Sequence, residues 1–103
     1  MNQIVNPPSV TYKLERLPLT TLHYATCGEG PPLIMLPATI SKIKNWLPLA
    51  QFMAQKFKVF FFELPGHGKS TPFQRSYSSD QVAESIGDFI DNLGYSSVGL
   101  FGF

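Results

Sequence analysis

Val59-Phe60-Phe61-Phe62-Glu63-Leu64-Pro65-Gly66-His67-Gly68-Lys69-Ser70 passes without a break from an apolar run into a polar turn punctuated by two glycines. A short, continuous apolar run bounded by turn residues fits a strand covered on both faces, the kind found inside a parallel sheet. The pattern recurs upstream in Leu33-Ile34-Met35-Leu36, after the turn Gly28-Glu29-Gly30-Pro31-Pro32. It recurs downstream over residues 97–102, Ser97-Val98-Gly99-Leu100-Phe101-Gly102. Three such runs predict three buried strands.

Helical spacing fills the gaps between them. Over residues 45–56, Leu49, Phe52, Met53 and Phe57 mark one face, with Asn45 as a plausible cap. Pro48 is tolerable in a first turn, where its missing N–H has no helical partner to lose. Residues 79–93 give the clearest helix, with Val82, Ile86, Phe89, Ile90 and Leu93 in one stripe. Ser78 and Gln81 have capping-box spacing and Gly94 is a stop signal. Asp91 in the last turn opposes the helix dipole at small cost.

Ahead of these elements, residues 10–16 alternate through Val10, Tyr12 and Leu14, and residues 20–26 alternate through Leu22, Tyr24 and Thr26. Alternation of period two is the mark of half-buried strands, and the short Leu17-Pro18-Leu19 link suits an antiparallel pair. Residues 1–9 form a loose, disordered lead-in with Pro7-Pro8 blocking regular structure. The order is then β-β followed by β-α-β-α-β, an α/β class with an antiparallel pair leading into parallel strands.

Length and composition narrow the functions that need considering. A chain of 103 residues with 44% hydrophobic residues is one small domain that buries a core. Its formal net charge of +1 argues for neither nucleic acid nor an anionic membrane as partner. Lys42, Lys44, Lys56 and Lys58 in the middle, and Asp80, Glu84, Asp88 and Asp91 later, read as solvated helix faces. The lone Cys27 permits no internal disulfide and has no motif around it, so it reads as a bystander. The N-terminus lacks the pattern of a signal peptide, and no run approaches the roughly 18 apolar residues of a membrane span. A cytoplasmic location and no cofactor or metal are the expectations.

Gly66-His67-Gly68-Lys69-Ser70 invites comparison with a phosphate-binding loop. The first glycine of that motif would fall on Glu63, whose carboxylate repels phosphate, and Pro72 interrupts any helix that should follow. Nucleotide binding is therefore disfavoured.

Taken as an ordered set, these segments resemble the α/β-hydrolase fold family of esterases, lipases, haloalkane dehalogenases and C–C hydrolases. Residues 28–36 look like the lead into its third strand, and Trp46 stands where a tryptophan often opens the first helix. Leu64-Pro65-Gly66-His67-Gly68-Lys69-Ser70 looks like the loop after the fourth strand, with Glu63 where the family usually has Asp. Tyr77-Ser78 and Leu93-Gly94 flank the later helix in a similar way. The resemblance covers nearly all of the chain from about residue 21 and makes residues 10–103 the N-terminal part of such a domain, truncated after the fifth strand.

That resemblance implies hydrolysis of an ester or related small-molecule bond by a nucleophile–histidine–acid set, the nucleophile following the fifth strand. On that reading Phe103 stands just before the nucleophile, the acid and histidine come later still, and this chain alone is inactive. Whether the nucleophile is Ser, Asp or Cys stays open, as does the substrate. Counting back from Trp46 places Thr39 as an oxyanion-hole donor through its backbone N–H, with Pro37-Ala38 replacing the usual His-Gly; the loop reads equally as structural. Glu63, Gly66, His67, Gly68 and Ser70 are implied to be structural loop residues, Glu63 as an anchoring carboxylate. His23 reads as a surface or packed residue of an edge-type strand. The alternative is a small non-catalytic module that binds a partner through an exposed sheet edge. Either way, self-association through that edge is an expectation.

Overall fold

The computed structural model describes residues 8–36, 43–64, 70, 72 and 78–102. Strands β1 (Val10–Arg16), β2 (Thr21–Cys27) and β3 (Pro32–Leu36) lead into helix α1 (Ile43–Met53). Strand β4 (Lys58–Phe62), helix α2 (Ser79–Leu93) and strand β5 (Gly99–Gly102) follow. All five strands join one sheet in the order β1-β2-β4-β3-β5. β1–β2 and β2–β4 are antiparallel, whereas β3–β4 and β3–β5 are parallel. A mixed α/β sheet is thus what the chain builds.

Pleating sorts the strand side chains between two cores. Ala25, Cys27, Leu33, Met35, Val59 and Phe61 face α1 and bury Ile43, Ala50 and Ala54 against them. Leu22, Tyr24, Ile34, Phe60 and Phe62 face α2 and close around Phe89. The Phe89 ring lies 4.9 Å from Tyr24 in an edge-on contact and 5.5 Å from Phe62. Such aromatic pairs add stabilisation beyond the area they bury.

β3 and β4 are covered on both faces, as their continuous apolar runs require. β2 is covered on both faces too, contrary to the half-buried expectation, because it lies between β1 and β4 and is not an edge. β1 is the edge, and its Tyr12 and Leu14 are 53% and 64% exposed where alternation had suggested an inward face. β5 begins two residues later than the run at 97–102, and it is not buried: Leu100 is 59% exposed.

Helix α2 has the limits its signals predict. Ser78 caps it in an extended conformation, its Oγ accepting the Gln81 N–H at 3.2 Å, and Gly94 ends it at φ 80° with its N–H donated to the Asp91 carbonyl. Helix α1 differs from its expectation. It starts at Ile43, so Asn45 is inside it, and Pro48 lies beyond the first turn, depriving the Lys44 carbonyl of its helical donor. It also ends at Met53: the Ala54 N–H still reaches the Ala50 carbonyl, residues 55–57 turn back onto the Phe52 and Met53 carbonyls, and Phe52 is exposed. Gly28, at φ 85°, packs directly against the carbonyls of Ala54 and Phe57, a closeness that no side chain allows. Among the described residues no helix is long and apolar enough to cross a membrane.

A polar cluster at the carboxyl rim of the sheet

β3, β4 and β5 run parallel, so their carboxyl ends share one rim, and in open α/β sheets ligands bind outside that rim. The N-terminal half of β2 reaches the same rim because β2 runs against β4, pairing Tyr24 with Phe62. One step further along this register brings His23 opposite Glu63.

The two residues bond through both backbone and side chain. The Glu63 N–H donates to the His23 carbonyl at 3.0 Å, and His23 Nδ1 lies 2.8 Å from Glu63 Oε1. With Glu63 ionised, its carboxylate only accepts hydrogen bonds, and Nδ1 is then the donor in this contact. Glu63 Oε2 accepts the Ile43 N–H at 3.4 Å, one of the N–H groups that the start of a helix leaves without an internal partner. Ser70 completes the set: its Oγ accepts the His23 N–H at 2.8 Å and donates to the Glu63 carbonyl at 2.6 Å. Glu63 and Ser70 are each 4% exposed, and the Tyr12 ring stacks over His23 with centroids 6.0 Å apart. A buried carboxylate is tolerated only with such partners.

Serine, histidine and acid meet here, yet not as a catalytic triad. The Ser70 hydroxyl serves two main-chain groups and makes no hydrogen bond to the imidazole, so the ring cannot take its proton. Among the described residues no three His, Cys, Asp or Glu side chains converge to hold a metal. Cys27 is buried, its Sγ 3.9 Å from the Ala50 carbonyl, and burial pushes its thiol up from the ordinary value. An open cleft of about 600 Å³ lies between Pro8, Ser9, Gly28, Glu29, Ala54 and Gln55, beside the start of β3 and thus away from the rim.

Of the sequence-derived site residues, Glu63 and Ser70 are brought together at the rim. Thr39, Gly66, His67 and Gly68 lie outside the described residues, as do Pro37, Ala38 and Phe103. His23 is the residue that sequence reasoning missed. It is in an interior strand with a side chain only 12% exposed, not in an edge strand. Its signal was available only through strand order, since β4 must be inserted between β2 and β3 before His23 faces Glu63.

Residues 31–103 match the family described as alpha/beta hydrolase fold. The soluble epoxide hydrolase of Corynebacterium sp. (strain C12) is 28% identical over 81 residues, covering 79% of this chain and 28% of that protein. The pimeloyl-[acyl-carrier protein] methyl ester esterase of Nitrosomonas europaea is 33% identical over 70 residues, covering 68% of this chain and 27% of that protein. An epoxide hydrolase structure from Vigna radiata superposes with a TM-score of 0.84 at 21% identity, covering 90% of this chain and 31% of that one, a likeness of fold. The chain therefore spans under a third of the length of these relatives. With its sheet order, two-sided helical cover and match over residues 31–103, the chain belongs to the alpha/beta hydrolase fold family.

Proposed function

We propose that these residues form the scaffold of a hydrolase that cleaves an ester or related bond in a small molecule through a nucleophile–histidine–acid set at the carboxyl rim. The observation that carries this reading is the strand order β1-β2-β4-β3-β5 with β3, β4 and β5 ending at one rim, in a chain similar to both an epoxide hydrolase and a methyl ester esterase. On this reading the rim connections supply the site: the Thr39 N–H is a donor for developing negative charge. Glu63, Gly66, His67, Gly68 and Ser70 shape the loop beside it without touching the reacting atoms. Among the described residues no serine or cysteine is hydrogen-bonded to the His23 ring. On this reading the 103 residues alone are expected to be inactive.

The test assays the 103-residue chain beside the product of its complete reading frame, each against a p-nitrophenyl ester and a simple epoxide. Saturable turnover by the complete product, with none from the 103 residues, is the expected result. Turnover by the 103-residue chain that survives His67→Ala overturns the proposal. So does failure of the complete product on both substrates.

A further inference from the structure

The connections leaving β3 and β4 at the carboxyl rim are each fastened to Glu63, one to its carboxylate and one to its main-chain carbonyl. The connection from β3 to α1 ends at Ile43, whose N–H reaches Glu63 Oε2 at 3.4 Å. The connection leaving β4 comes back at Ser70, whose Oγ–H reaches the Glu63 carbonyl at 2.6 Å. His23, from the interior strand β2, holds both partners: its ring meets Glu63 Oε1 and its N–H meets Ser70 Oγ, each at 2.8 Å. We propose that Glu63 is a positioning residue: its carboxylate, oriented by the His23 ring, locks the start of α1 to the carboxyl end of β4, while its main-chain carbonyl holds the chain at Ser70. It thereby fixes where the two rim connections begin and end. The proposal rests on the proposed function for the importance of this rim and for nothing else.

Geometry favours a lock over a general polar core contact. The two carboxylate oxygens meet different elements, Oε1 the His23 ring on β2 and Oε2 the Ile43 N–H at the start of α1. Hydrogen bonds to an ionised acceptor are stronger than neutral ones, and a carboxylate at a helix start gains from the helix dipole as well. An amide in place of the carboxylate accepts through one terminal atom only, and the other turns a donor toward a donor.

Amide hydrogen exchange of the 103-residue chain, resolved by residue, tests the lock without any turnover assay. Glu63→Gln and His23→Phe, the latter keeping a ring without its donor, are expected to speed exchange at Ile43 by about tenfold or more relative to Phe89 in α2. His23→Asn places an amide N–H where Nδ1 was and is expected to return Ile43 to within about threefold of the unmodified chain. If Glu63→Gln leaves no protected amides, the comparison of His23→Phe with His23→Asn decides between lock and general contact. The proposal is overturned if Ile43 and Phe89 change in parallel, if His23→Asn gives no recovery, or if the unmodified chain protects no amides.

Discussion

Tyr24 and Cys27 are three positions apart on β2 and point into opposite cores, Tyr24 toward α2 and Cys27 toward α1. Burial raises both above their ordinary values of 10.0 and 9.0, and the nearby Glu15 carboxylate raises Tyr24 further. Each group thus keeps its proton in the folded chain at a pH where the unfolded chain has lost it. Stability from this source is complete below the ordinary values and falls as pH rises through the raised ones. Chemical melts from neutral pH upward should show a decline that begins above about pH 9, and Cys27→Ala should move its onset toward about 10. Constant or rising stability over that alkaline range would contradict the assignment. Residue-scale chemistry of this kind was only partly legible in the sequence. Cys27 already looked inert, but the His23–Glu63 pair spans 40 positions and leaves no local mark. It exists because of a register between strands that are not consecutive.

At the scale of single elements, the two helices show what local signals can and cannot specify. The ends of α2 were legible because its caps are local: Ser78 and Gly94 lie in the chain next to the groups they satisfy. The start of α1 was not, because its Ile43 N–H is satisfied by a carboxylate from the end of β4, while Asn45 has the look of a cap without being one. Strand β5 was legible as a strand but not in its exposure, which depends on what lies beside it. Helix α2 offers a paired test of the capping argument. Gly87 is inside the helix with nothing within 4 Å of an added Cβ, whereas Gly94 is equally open but sits at φ 80°. Gly87→Ala should therefore stabilise the chain by about 0.5–1 kcal/mol by removing backbone freedom from the unfolded state. Gly94→Ala should destabilise it by about 1 kcal/mol through left-handed strain. Thermal melts of the two variants should move in opposite directions, and a shared sign would show that space around the glycine, and not φ, governs the helix end.

For the molecule as a whole, the alternating and continuous apolar runs gave the right class of sheet, yet its strand order came from no pattern in the sequence. β3 and β4 exchange places relative to chain order, and that exchange creates the rim and the His23–Glu63 contact alike. The same order makes β1 and β5 the two edges, and they differ in how they are guarded. β1 carries Lys13, Glu15 and Arg16, charges that discourage a second chain from pairing there. β5 is Gly-Leu-Phe-Gly with no charge at all, and Leu100 stands 59% exposed. An uncharged, exposed apolar edge strand is a template for strand pairing. The 103-residue chain should therefore associate as its concentration rises from micromolar toward millimolar, the range in which such edges become occupied. Sedimentation velocity should show Leu100→Lys shifting the population toward monomer, because a charge there would have to be desolvated for another strand to dock. Leu14→Lys, at a 64% exposed position on the already charged β1 edge, should leave association unchanged. If both substitutions act equally, association runs through general apolar exposure and β5 has no special part in it; if neither acts, the edge is not where the copies meet.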